Sequence, residues 1–254
     1  MRYEERALIL SCLVLGVLML AMPAMAAVTH SVGVARDTSN GTIAYVEHHQ
    51  YLPSGRHLVS YYLSDGTVIA TKEMTYPGLP QHPEIDQQDL LRDEQITLSI
   101  TDQTLNVRKR TPRGTNEFTL TVDDETIVDA GFDAFIRSHW AHFADGTEQQ
   151  YKFAVAGEPR LLTVLITKEP GATHAFTIKP KNFLVRLFVS DIQLRYDTQQ
   201  RLQSYQGLTN LKVDARNVLI QFSHYTTAAP LTRPLAQWLP DSAAFQPGLG
   251  DPYS

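Results

Sequence analysis

The chain has 254 residues, with 22 Lys and Arg against 27 Asp and Glu, a net charge of −5 at pH 7 and a single cysteine. That balance excludes a general nucleic-acid binder, which needs clustered positive charge, and one cysteine excludes a disulfide framework. The length suffices to bury a full core in one domain.

Arg2 and Arg6 flank a short polar start, an apolar run follows from Ala7 to Ala21, and Pro23 leads into Ala24-Met25-Ala26. A charged start, an apolar stretch of this length and an A-x-A site mark a secretory signal peptide over 1–26, cleaved after Ala26. The expected compartment is therefore the periplasm. Glu4 and Glu5 weaken the positive start, so the alternative is an uncleaved N-terminal helix anchored in the inner membrane. A buried N-terminal helix fits poorly, because the run has no polar face. Cys12 lies inside the run, so the mature chain would have neither thiol nor disulfide. Ile9-Leu10-Ser11-Cys12 loosely resembles a lipobox, but most of the apolar run follows this cysteine, the wrong order for lipid attachment. The charges of the leader cancel, and the mature chain keeps the net −5.

Residues 27–225 read as one β-rich domain. The stretch "GTIAYVEHHQY" lies between a glycine turn and Pro53, and its β-branched and aromatic content reads as a strand. Glu47 and His49 then share a face with Ile43, Tyr45 and Tyr51, while His48 points the other way. Pro53-Ser54-Gly55 makes a hairpin that brings His57 alongside. Further turns fall at Ser64-Asp65-Gly66, Pro170-Gly171 and Asp197-Thr198. Between the turns apolar residues alternate with polar ones, at 96–101, 118–122, 151–155, 162–166, 192–196 and 218–222. This is the pattern of antiparallel strands with one dry face, and about nine to eleven strands are expected. Arg108-Lys109-Arg110 with Arg113 reads as a solvated turn, because Pro112 and Gly114 stand beside it.

One segment changes period. In "DAGFDAFIRSHWAHFADG" apolar residues recur at three- and four-residue steps, which predicts an amphipathic helix of about four turns over 130–145. Asp129 is placed to cap it, Asp133 falls in its first turn, and Asp145-Gly146 supplies the stop. The acidic run Asp123, Asp124, Glu125 and Asp129 reads as a turn plus cap rather than a glycosidase pair or calcium loop. Phe183 to Val189, broken by Arg186, is either a short helix or a buried strand. Residues 226–254 are a Pro-rich tail with Trp238 and little periodicity.

The fold class is mainly β (α+β), a curved antiparallel sheet or incomplete β-barrel with the helix against its concave face. Such a sheet around an aromatic helix can enclose an apolar pocket. The leading functional expectation is a non-enzymatic periplasmic protein that binds or carries an apolar molecule, a lipid or lipid-modified molecule. Its ligand-lining residues would be Phe132, Phe135, Ile136, His139, Trp140 and Phe143, all of which also suit an ordinary core. His139 falls inside the apolar face of the helical wheel, as a hydrogen-bonded core histidine or as a polar anchor for a headgroup. An alternative is a metal-assisted hydrolase using Glu47, His49 and His57, with His224 a further candidate. Glu47 and His49 at i and i+2 supply two ligands at most, and no HExxH or similar spacing backs them. A second alternative is an envelope scaffold that meets a protein partner through the tail around Trp238. No nucleophile elbow, mature cysteine or phosphate-cradling glycine loop is present in the sequence, and no cofactor is expected.

The stretches "VDAGFDAFIRSHWAHFADG", "YKFAV" and "DIQLRYDTQQRLQSYQGLTNL", with the upstream "YLPSGRHLVSYYLSDGTVIA", resemble a set of uncharacterised exported bacterial β-rich proteins. That resemblance covers most of the mature chain and implies fold and compartment, with no activity attached. More distantly, a curved sheet holding a helix is similar to the half-barrel of the periplasmic lipoprotein carriers. This is a likeness of architecture, from which function does not follow.

Overall fold

In a computed structural model the described residues are 30–170, 174–186, 190–209, 211 and 213–225. The leader over 1–26 with Cys12, and the tail with Trp238, lie outside them. From the N-terminal side the strands are β1 (His30–Asp37), β2 (Ile43–Tyr51), β3 (His57–Tyr62), β4 (Val68–Thr75) and β5 (Glu84–Asp89). β6 (Glu94–Thr101), β7 (Thr104–Thr111), β8 (Gly114–Thr121) and β9 (Thr126–Val128) follow. After the helical segment come β10 (Gln149–Ala154), β11 (Leu161–Lys168), β12 (Ala175–Pro180), β13 (Ile192–Tyr196), β14 (Leu202–Leu208) and β15 (Asn217–Tyr225).

All fifteen belong to one sheet, in the order β8-β7-β6-β5-β4-β3-β2-β1-β15-β14-β13-β12-β11-β10-β9. β1 and β15 pair at its middle, with His30 opposite Tyr225, and two meanders run outward from them. The pairing is antiparallel except where β9 lies parallel to β10. β8 and β9 are the two edges, yet only residues 122–125 separate them along the chain. Laid flat, fifteen strands would put those edges about 67 Å apart, whereas the five steps from Thr121 to Thr126 reach at most ~18 Å. The connection thus obliges the sheet to curl, and it stays open because β8 and β9 do not pair.

The chain after β4 stitches the curl. Gln81 donates from Nε2 to the Asp124 carbonyl and His82 from Nε2 to that of Thr126, while the Val128 N–H donates to the Gln81 carbonyl. Gly131 lies so close to this turn that a Cβ there would run into the Gln81 carbonyl, which is why glycine stands immediately before Phe132, where the α-helix begins.

The segment after β9 is shorter as an α-helix than its periodicity predicts. α1 spans Phe132–Ser138, between 3-10 turns at Asp129–Gly131 and Trp140–Phe143. The Phe135 carbonyl accepts from the His139 N–H, the His139 ring Nδ1 and the Ser138 hydroxyl, each at 3.0 Å. Side chains competing for a backbone acceptor break helices in this way. α1 packs in the concave face with Phe135, Ile136 and Phe143 enclosed among Ile127, Val164, Ile166, Phe176, Leu194 and Tyr196. A second apolar cluster fills the concave side of β2–β7, closed by Leu211 and Ala215 from the β14–β15 connection.

Besides the length of the helix, four sequence expectations need correction. The strands number fifteen rather than nine to eleven, since β5 (EIDQQD) and β14 (LQSYQGL) carry too little apolar alternation to stand out, and β9 has three residues. Arg108, Lys109 and Arg110 lie in β7, pairing with Glu117, Glu94 and Asp93 across both neighbouring strands, and only residues 112 and 113 turn. Ile43 does not share a face with Tyr45, because a bulge beside Ala35 and Arg36 shifts the register and sends Ile43 to the convex side. Asp129 makes no capping bond. Its backbone is left-handed, at φ 42°, and its carboxylate turns to Lys72 instead. At 183–186 the chain forms a single helical turn, α2 (Phe183–Arg186), with Phe183 and Leu184 exposed.

Candidate functional site

Strand alternation on β2 aims Tyr45, Glu47, His49 and Tyr51 into the concave face. Cross-strand register then sets their neighbours: Gly33 and Tyr61 flank Glu47, Ser31 and Val59 flank His49, and His57 stands opposite Tyr51. On β4, Lys72 lies beside Val59. Two neighbours in one strand and a third across a hairpin thus bring Glu47, His49 and His57 together.

Their contacts form a line. Glu47 Oε1 lies 3.6 Å from His49 Nε2, and His49 Nδ1 lies 2.9 Å from His57 Nε2. The carboxylate favours the His49 proton on Nε2, so Nδ1 accepts from His57 Nε2–H and the outer nitrogen of His57 is left as an acceptor. His57 stacks on Tyr51 at 4.4 Å, and Phe222 meets the His49 ring edge-on at 5.7 Å. Because both nitrogens of His49 face side chains of the line, the three groups do not converge on a point as ligands of one ion do. Among the described residues no group of three or more His, Cys, Asp or Glu is arranged to hold a metal. His224 stacks on Phe222 and donates from Nε2 to the Leu202 carbonyl at 2.7 Å.

Room for the line comes from Gly33. A Cβ there would fall 2.8 Å from both Ile220 and Phe222 and 2.9 Å from Glu47. Lacking one, β1 lets the Glu47 stem and the Phe222 ring lie over its backbone.

Deeper in the face, Lys72 Nζ is 3.6 Å from the Asp129 carboxylate, with the lysine side chain only 5% exposed. Tyr45, Tyr61 and Tyr205 are also enclosed there, and burial together with nearby Glu47 holds their hydroxyls protonated, with raised pKa values. Burial, then His49, Lys72 and Arg137, pushes His57 down to about 2, so it is neutral across the physiological range. At the end of the face beside the β2–β3 hairpin, Tyr51 of β2 and Tyr76, just past β4, are 39% and 37% exposed. Asp133 and Arg137 of α1 lie close enough to act electrostatically on both tyrosines, and Arg137 on His57.

The six helix residues expected to line a ligand site lie in one aromatic layer. Phe135 stacks on His139 at 4.2 Å and meets Tyr151 edge-on; Trp140 contacts Phe176, Tyr196 and His174. Phe135, Ile136 and Phe143 have no exposed surface, whereas Phe132, His139 and Trp140 are half-buried.

Sequence reasoning missed Gly33, Lys72 and Phe222. Two signals were available: a lone glycine between Val32 and Val34, which marks a close approach, and a lysine alternating with Ala70 and Met74 on the apolar side of a strand.

Neither a protein-family model nor a curated protein matches the sequence. The fold and site define a class, an open curved antiparallel sheet with a helix and a buried polar row in its concave face.

Proposed function

We propose that this protein is a periplasmic carrier that binds a largely apolar molecule, a lipid or lipid-modified molecule, in the concave face of its sheet. The polar end of the ligand meets the Glu47–His49–His57 line, and its apolar body lies against the half-buried edge of the helix layer at Phe132, His139 and Trp140. The observation that carries this reading is the ionisable row itself, set in a largely apolar face whose hairpin end carries the exposed Tyr51 and Tyr76. Burying such groups contributes little to stability and often opposes it. Their value therefore lies in a ligand whose polar group they recognise. Aromatic rings around a few convergent polar groups are the usual lining of a small-molecule site.

Mass spectrometry of the exported protein under native and then denaturing conditions tests this. The expected result is an excess native mass of a few hundred daltons that extracts into organic solvent and is absent from a Gly33→Ala variant. An unliganded native mass in protein taken directly from the periplasm contradicts it.

A hydrolase is the second reading, favoured by the contact of Glu47, His49 and His57. A carboxylate orienting one imidazole against another is a geometry for moving protons. It requires a stoichiometric metal, or another source of a nucleophile, and an activity abolished by His49→Ala in a folded protein.

A further inference from the structure

The two edges of the sheet differ in cover. At the β9 edge the chain after β4 supplies partners: the Val128 N–H donates to the Gln81 carbonyl, and the Asp124 and Thr126 carbonyls accept from Gln81 and His82. The β8 edge has no such cover. β7 and β8 join through a two-residue turn at 112 and 113, with Thr111 opposite Gly114. In such a hairpin the closing pair exchanges its backbone bonds, and every second pair does so thereafter. Gly114, Asn116, Phe118 and Leu120 therefore bond inward to β7, while Thr115, Glu117, Thr119 and Thr121 aim their N–H and C=O groups outward. Among the described residues these outward groups have no hydrogen-bond partner, and the residues that carry them are exposed. Proteins usually blunt a bare edge with Pro, Lys, a bulge or a very short strand. β8 has eight residues in unbroken register and contains neither Pro nor Lys.

We infer that β8 pairs antiparallel with β8 of a second copy of this chain, about a two-fold axis at Phe118. Only outward-facing residues can exchange bonds across the edge, so few registers are possible. With the axis at Phe118, Thr115 pairs with Thr121 and Glu117 with Thr119, each twice by symmetry, and every outward group of both strands is satisfied. An axis at Glu117 would set two carboxylates opposite each other, and one at Thr119 would run Thr115 past the end of the second β8. Phe118 and Leu120 lie on the concave side, packed against the core yet only half-buried. The chosen register sets Phe118 against its symmetry mate, a favourable cross-strand contact, and Asn116 beside Leu120. Beyond the strands it brings Arg113 of one copy level with Asp123 of the other, with Asp124 and Glu125 following. Val122 keeps that end in line, its N–H donating to the Gln103 carbonyl. Arg113 and the acidic run are exposed, and the Arg113 side chain has no partner among the described residues. A strand of another protein would satisfy the backbone equally well. The charges, matched at both ends by symmetry, and the Phe118 pair point to a second copy.

Sedimentation velocity of the exported protein over a range of concentrations tests the pairing. A single edge buries less than an obligate interface does, so the mass should rise from monomer to dimer with concentration. Thr119→Pro removes an outward N–H while leaving the bonds to β7 in place, and should keep the protein monomeric. Should Thr119→Pro lower the urea midpoint, charge variants outside the strand decide. Arg113→Glu and Asp124→Arg should each weaken self-association by roughly tenfold, and the two mixed should associate with each other as the wild type does with itself. Register is read by disulfides. In a Cys12→Ser background, Phe118→Cys should cross-link to its mate under mild oxidation and Asn116→Cys should not. A monomeric mass at every concentration, which would leave the edge to a strand of another protein, overturns the proposal. So do charge variants that fail to associate when mixed, or cross-linking as strong at 116 as at 118.

Discussion

At the scale of single residues, His57 links burial to pH. Unfolded, it titrates near its ordinary value of 6.5; folded, burial keeps it neutral down to about 2. Between those values the unfolded chain binds a proton that the folded chain refuses. Stability therefore falls as pH drops below about 6.5, by up to about 1.4 kcal/mol per pH unit. His48 adds the same slope down to a pKa of about 4. The full contribution is present above 6.5, and carboxylates with lowered pKa values, such as Glu73 and Asp123, add their own loss only as pH falls below about 4.5, outside a comparison of pH 7 with pH 5. Urea unfolding at pH 7 and pH 5 should show His57→Gln losing about 2 kcal/mol less than wild type, with His30, His48 and His224, also lowered by burial, keeping their share; an equal loss would contradict this role of His57. Gly33 gives a second prediction. Adding one methyl group through Gly33→Ala overfills the space shared by Glu47, Phe222 and Ile220 and should cost about 1–3 kcal/mol. A neutral unfolding midpoint would mean that the neighbours give way freely.

Between elements, the Lys72–Asp129 pair ties β4 to the turn that opens the helical segment. Removing one charge of a buried pair leaves the other uncompensated, at about 3–5 kcal/mol. Asn tolerates the left-handed backbone of Asp129 as well as Asp does, so Asp129→Asn reports the charge alone. Denaturant unfolding should show that loss, and Lys72→Met added to Asp129→Asn should recover most of it. No recovery would locate the role of Asp129 in its backbone rather than its charge. Elements such as β6, β10, β11 and β15 were legible because alternation of dry and wet side chains is local and periodic. The polar β5 and β14 were not, since their place in the sheet depends on partners far along the chain. The same limit applied to the site. Glu47 and His49 sharing a face, and His57 across a hairpin, followed from period two and a turn. Lys72 meeting Asp129, 57 positions away, depends on the curl of the whole sheet.

The whole molecule is defined by two facts of topology. β1 and β15 meet at the centre, and a four-residue connection joins the two edges. The first brings both ends of the described chain to the middle of the sheet; the second bends the sheet until its concave face encloses α1 and the polar row. The concave side is the one proposed to take the ligand. The central claim is that a ligand's polar end reaches the Glu47–His49–His57 line. Photo-crosslinking with a diazirine-bearing fatty acid, followed by peptide mapping, tests it directly. Labelling concentrated in residues 45–61 and 132–140, and lost in Gly33→Ala, is the result predicted. Labelling spread over the surface, or confined to the exposed Phe183 and Leu184 of α2, would contradict it.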